Sequence, residues 1–231
     1  DFGMQGQLPT NPELLDHLAL TFIENGWSLK KLHRLIVTSA AYQQDSKIES
    51  GTSNNPRQRL EAEIIRDAAL SASGLLSQKM FGPPVRPPQS PGISEVAYSN
   101  PKWNASKGED RYRRTLYTYQ KRTAPFAFLT TFDASSGEAC LAQRDRSNTP
   151  LQALTLMNDP MFIEIANHFG TQIQNHPATT EEKITQAFRL LLTRPPTENE
   201  VQLLFDFHQK HNSWPALTRA LLSLDESVTK Q

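Results

Sequence analysis

The 231 residues carry 24 Lys plus Arg against 24 Asp plus Glu, so no global field draws the chain to nucleic acid or to an anionic membrane, and nucleic-acid binding is excluded as a leading function. Cysteine occurs once, at Cys140, which rules out an intrachain disulfide, a C-x-x-C-H haem attachment and any multi-cysteine zinc site within these residues. Apolar runs fall far short of the roughly 20 residues that span a bilayer, and the length allows one sizeable core, so we read a single domain over 1–231 with no membrane insertion.

In chain order, residues 1–80 read as N-terminal helices. Asn11-Pro12-Glu13 is a cap, an early helical proline and a carboxylate, and Leu14, Leu15, Leu18, Ala19, Phe22 and Ile23 then make one apolar face. Asn25-Gly26 stops that helix, and Ser28 caps a second that carries Leu29, Leu32, Leu35 and Ile36, which predicts an antiparallel pair. His33 lies beside that stripe with no ligand at metal spacing. Residues 45–56 read as a polar loop. A third helix is predicted from Arg57 to about Ser77 with Leu60, Ile64, Ala68, Ala72 and Leu75 inward. Its charges pair by spacing on a solvated face (Arg57 with Glu61, Arg59 with Glu63, Glu63 with Arg66), the alternative being a buried network of Glu61, Glu63, Arg66 and Asp67 against the middle of the chain.

Residues 81–108 form a strap. Phe81 to Pro91 holds five prolines and is neither helix nor central strand; Ile93 to Tyr98 could be a short strand. Residues 109–148 are the central segment around which the rest is organised. Arg111 to Tyr119 is rich in aromatic and β-branched types and predicts a strand, while Pro125 to Phe132 is apolar and could be helix or strand. Residues 149–231 are C-terminal helices. Thr149-Pro150 with Gln152, Asp159-Pro160, Thr179 with Glu182, Thr197 with Glu200 and Ser213-Trp214-Pro215 each mark a helix start, and the apolar positions Phe162, Ile165, Ala166, Phe169, Ile173, then Ile184, Ala187, Phe188, Leu191, Leu192, then Leu217, Ala220, Leu221, Leu224 face inward. The expected fold is mainly α, helical arms at both ends packed around an irregular central segment with a minor β element.

Arg113, Arg114, Lys121, Arg122, Arg144 and Arg146, interleaved with Tyr117, are the candidate binding residues, because guanidinium forks hold carboxylate, sulfate or phosphate and tyrosines stack on rings. The competing reading is that Glu109, Asp110, Asp133, Glu138 and Asp145 neutralise them within the fold. Catalytic candidates are weak. Asp133 with Glu138 could act as a carboxylate pair on a glycoside, and Cys140 as a nucleophile lacks a nearby histidine in sequence. No Gly-rich phosphate loop, G-x-S-x-G or H-E-x-x-H is present, and no metal ligands are assigned.

The blocks DFGMQGQLPTNPELLDHLA, RLEAEIIRDA, GEDRYRRTLYTYQKRT, RSNTPLQALTLMNDP and ALLSLDE resemble the C-terminal domain of planctomycete cytochrome C domain-containing proteins, called planctomycete-specific domain one, a domain of unknown function. The resemblance runs from Asp1 to about Glu226. Arg114, Arg122, Cys140, Arg146, Asn148, Thr149, Pro150 and Asn158 match the family pattern, whereas His17 and Gln120 stand where the family usually shows Trp. The resemblance implies a fragment of a longer exported protein of the periplasm or cell envelope, with haem on an upstream cytochrome c-like domain and none in this chain. From this we expect a non-catalytic docking or binding module, its partners being upstream domains of the same protein or an anionic glycan; the alternative is an enzyme acting on polysaccharides or sulfated glycans.

Overall fold

The computed structural model describes residues 3–44, 57–93, 102–138, 141 and 143–230. The fold is mainly α with a minor β element. The chain divides into two compact units, one of Asp1–Gln58 with Lys230–Gln231 and one of Arg59–Thr229.

The smaller unit is built on α1 (Pro12–Glu24) and α2 (Leu29–Val37). Asn11 Oδ1 accepts the Leu14 amide at 2.9 Å and Pro12 fills a position where an amide would have no partner. Asn25 ends α1. Gly26 and Trp27 then both take left-handed backbone, φ 67° and 58°, and the Trp27 ring meets Phe22 edge-on at 5.2 Å. Ser28 Oγ accepts the Lys31 amide and starts α2. The predicted pair of capped helices is present, yet no residue of α1 or α2 is buried.

The larger unit carries, in chain order, α3 (Ala62–Ala72), α4 (Ala127–Thr131), α5 (Pro150–Asn158), α6 (Pro160–Gln174), α7 (Thr180–Leu192), α8 (Glu198–His211) and α9 (Trp214–Leu222), and the short strands β1 (Gln58–Arg59) and β2 (Thr229–Lys230) pair as a two-stranded sheet. Thr149, Thr179 and Thr197 each close a reciprocal capping box with Gln152, Glu182 and Glu200, and Asp159 Oδ1 accepts the Met161 amide to start α6. The apolar stripe of α6 is fully inside: Phe162, Ile165, Ala166, Phe169 and Ile173. Its first half packs with Ile65, Leu70, Phe126, Phe128 and Phe132, its second with Phe188, Leu217, Leu221 and Trp214.

Four expectations are corrected. The third helix begins at Ala62, not Arg57, because Gln58–Arg59 pairs with β2 and the Leu60 amide donates to Val228 O at 2.7 Å. Its buried residues are Ala62, Ile65, Arg66, Ala69, Leu70 and Ala72, so Ala72 faces inward as expected while Ile64 and Ala68 are exposed, because the charged Arg66 takes an interior position on the stripe. The predicted strand over Arg111 to Tyr119 is instead two 3-10 turns, Gly108–Tyr112 and Thr115–Tyr117, with isolated parallel bridges in place of a ladder at Ser77 with Arg113 and at Val85 of the strap with Thr118. Buried arginines hold this backbone from the side and take the carbonyls a strand ladder would use. On α9, Leu217 and Leu221 are buried as expected, but Thr218 and Leu222 replace Ala220 and Leu224, because the helix stops at Leu222 and Trp214-Pro215 sets its face. Phe126 to Phe132 resolves as the start of α4 and its cap, a helix. The loop at 45–56 and residues 94–98 of the possible strand lie outside the described residues.

Proline-rich residues do form a strap. Val85 exchanges backbone hydrogen bonds with Tyr117 and Tyr119, both 2.8 Å, and Trp103 Nε1 donates to Pro87 O at 2.7 Å while its ring stacks on Phe126 at 5.7 Å.

The closest helix approach depends on Gly170, where a Cβ would sit 2.5 Å from Pro215 N on α9. Helix propensity alone makes Gly170→Ala stabilising by about 1 kcal/mol. The crowding reverses the sign, so urea unfolding should show a loss of about 1–3 kcal/mol, and a gain would refute the packing described.

Candidate functional site

The central segment is tied to α3 by an arginine that never reaches solvent. Arg66 Nη1 donates to Arg113 O at 2.8 Å and to Thr115 Oγ1 at 3.1 Å, Nη2 donates to Arg111 O at 3.3 Å, and Nε lies 2.9 Å from Met161 Sδ on α6. Asp67 completes the tie by accepting the Thr115 amide at 2.8 Å and its hydroxyl at 2.6 Å. Burial pulls the Arg66 guanidinium down to about 10, against the opposing pull of Asp67 and Asp159. It therefore stays charged at neutral pH.

Arg113 is the second internal arginine. Its Nη1 donates to Pro83 O at 3.1 Å and its Nη2 to Lys79 O and Phe81 O, while the guanidinium lies 3.8 Å over the Tyr117 ring. Tyr117 OH in turn accepts the Phe81 amide at 2.8 Å. Together they clamp the start of the strap, where Phe81 and Gly82 hold left-handed backbone, φ 61° and 98°. Arg113 was expected on a binding surface; its relative exposure is 0%, because the strap's carbonyls supply acceptors that water would otherwise supply.

The remaining candidates separate. Arg114 is half-exposed, with Nε 3.8 Å from Asp67 Oδ2. Arg144 bridges Glu63 at 2.7 Å and Glu61 at 3.6 Å. Arg146 is exposed, and Lys121 and Arg122 stand at a turn. Tyr117 is spent on the clamp. Thus the six cations do not form one patch around a shared ligand.

Asp133 is also internal in role. With φ 57° it takes the left-handed conformation that Asp tolerates, and its Oδ2 accepts Arg59 Nη2 at 2.5 Å, Ser147 N at 2.8 Å and Ser147 Oγ at 2.7 Å. Burial pushes the carboxyl up, but the Ser147 and Arg59 hydrogen bonds outweigh it and hold the group below its ordinary value. A carboxylate with three donors on one oxygen is a brace, not a poised acid. Glu138 is exposed on the turn after it, and Cys140 lies outside the described residues. Among the described residues no cluster of His, Cys, Asp or Glu could hold a metal ion, and no helix is long and apolar enough to cross a membrane.

Sequence reasoning missed Arg59, Ser147 and Glu164 as ties. Arg59 also donates to Ser147 O and Phe132 O, and Glu164 on α6 takes a fork from Arg111 at 2.8 and 2.6 Å and the hydroxyl of Tyr112. Of the buried network of Glu61, Glu63, Arg66 and Asp67 weighed above, Glu61 and Glu63 stand partly in solvent and pair with Arg144, whereas the structure contains the Arg66 and Asp67 part. Its signal was present: Arg66 falls in register with Ala62, Ile65, Ala69 and Leu70 on α3.

A separate feature lies within the smaller unit. Leu14, His17 and Leu18 of α1 and Leu35 and Ile36 of α2, with Tyr42 beyond it, line an open apolar groove of about 470 Å³. The ring of Tyr42 carries Lys230 Nζ at 4.0 Å.

Residues 1–208 match the family model PSD1, described as "Protein of unknown function (DUF1553)". No curated protein and no solved structure matches the chain.

If Arg113 is an interior tie, Arg113→Ala strands the Pro83 and Phe81 carbonyls and removes the stack on Tyr117. The expected loss is about 3–5 kcal/mol in denaturant unfolding, whereas Arg122→Ala should change stability by less than about 0.5 kcal/mol. Equal small effects would place both arginines at the surface.

Proposed function

For a chain that belongs to the PSD1 family of unknown function, we propose the role of a non-catalytic docking module within a larger exported protein of the cell envelope, beside a cytochrome c-like haem domain. The observation that carries this reading is the α1 and α2 hairpin, whose apolar residues Leu14, Leu15, Ile23, Leu29 and Leu35 are all between 38% and 61% exposed. Scattered apolar side chains on a surface need no explanation. Two adjacent helices without a single buried residue do, because tertiary burial supplies most of a short helix's stability.

The central segment supports the same reading from the other side. Asp133 is held by Arg59 and Ser147, Arg113 by the strap and Arg144 by Glu63, so these three of the groups considered for catalysis or anion capture are engaged in bracing. A general acid needs a raised and accessible carboxyl, and Asp133 is held low.

The test is a turnover screen of the purified chain on neutral and sulfated polysaccharides, run beside Asp133→Asn. We expect no turnover in either. In the wild type the Asp133 brace should stabilise the fold above the ordinary carboxylate range and be lost as pH falls below about 4. Asp133→Asn should lower stability at pH 7 by about 1–3 kcal/mol and flatten that acid dependence. Wild-type turnover that Asp133→Asn abolishes while the fold survives would overturn the proposal in favour of the enzyme.

A further inference from the structure

We propose that the groove between α1 and α2 is covered by the same groove of a second copy of this chain, so that two hairpins close a four-helix bundle about a two-fold axis. This rests on the docking reading above and names its partner.

The first argument is burial. Among the described residues of the smaller unit, the pair of helices of 13 and 9 residues has no third α-helix to shield its stripes, and antiparallel helices reach a closed core when two pairs combine. The groove offers Leu14, Leu18, Leu35 and Ile36, side chains of the kind that fill such cores.

The second argument is charge. Helix α1 carries Glu13, Asp16 and Glu24 and no Lys or Arg; α2 carries Lys30, Lys31 and Arg34 and no acid. Among the described residues no ion pair links the two helices within the hairpin, so both sets are available. Position matters as much as sign. Glu13 lies one turn before the groove residue His17, and Lys31 one turn before the groove residue Leu35, so each stands on the same stripe as a lining side chain. The groove therefore has an acidic rim along α1 and a basic rim along α2. In a two-fold contact, if residue i of one copy meets residue j of the other, j also meets i. Glu13 then faces Lys31 of the partner twice, and a face whose rims have opposite sign is complementary to itself. A partner of one uniform charge, such as an anionic lipid surface, would be attracted by α2 and repelled by α1.

Sedimentation velocity on the whole chain over about 1–100 µM tests this. The wild type should move from the mass of one chain to that of two. Leu35→Glu, which places a charge in the groove, should abolish the shift while leaving far-UV circular dichroism nearly unchanged. Glu13→Lys and Lys31→Glu each create two like-charge contacts per dimer and should weaken association by about tenfold; both positions are exposed, so they remain informative if Leu35→Glu fails to fold. Mixing these two charge variants in equal amounts should restore the dimer, since each supplies the sign the other lacks. A wild-type monomer throughout, a dimer untouched by Leu35→Glu, or charge variants that the mixture does not rescue would each overturn the inference. A monomer without polysaccharide turnover would remove the second copy alone, whereas turnover lost in Asp133→Asn would remove the non-catalytic reading whatever the mass.

Discussion

A buried guanidinium is tolerated only when the protein replaces nearly all of its water, and in the larger unit that requirement organises everything near it. Among the described residues Arg66 has no carboxylate within hydrogen-bonding reach; Asp67 stands 3.7 Å away. Its acceptors are two backbone carbonyls, the hydroxyl of Thr115 and the sulfur of Met161. Desolvating such a group costs several kcal/mol, so the backbone of residues 111–115 must stay where those carbonyls converge. The same logic runs outward through Arg113, whose acceptors are strap carbonyls, and through Arg59, whose acceptors lie at the end of α4 and just before α5. Among the described residues Arg113 Nε has no acceptor, and its stacking on Tyr117 partly offsets that loss. An irregular segment with few ladder bonds is thereby shaped from outside, by side chains belonging to helices and by its own arginines reaching back to the strap.

This explains which parts of the fold were legible in the sequence. Helix starts were readable because a cap is local: Thr179 and Glu182 are three residues apart, and the geometry they form needs nothing else. The stripe of α6 was readable because all its members are apolar. Arg66 carried only its register with Ala62, Ile65, Ala69 and Leu70; its role depends on carbonyls 45 and 47 positions away, and no periodicity announces where distant backbone acceptors will converge. Arg111 to Tyr119 failed as a strand for a related reason. Its aromatic and β-branched composition fits a pleated surface, but propensity yields when tertiary partners consume the carbonyls.

The candidate site was legible in membership more than in role. Arg113, Tyr117, Arg144 and Asp133 are indeed among the most connected side chains of the central segment. Their bonds run inward, to Pro83, Phe81, Glu63, Ser147 and Arg59. The balance of charge within the segment carried that message, since cations meant for a ligand leave a surplus and cations meant for the fold are matched. Exposed apolar surface lies instead on α1 and α2, whose amphipathic pattern is legible in the sequence, while the lack of any buried residue on either helix is visible only in the structure.

The account's central claim is that the arginine ties make the strap and central segment part of the same cooperative core as α6. Native-state hydrogen exchange measures this directly. The amides of Val85 and Tyr119, bonded across strap and segment, and that of Tyr117, bonded to Arg114 O within the segment, together with the Thr115 amide bonded to Asp67, should open with the same free energy and the same denaturant dependence as Phe169 and Ile173. Exchange of those four by a local opening several kcal/mol cheaper, with α6 still protected, would contradict it.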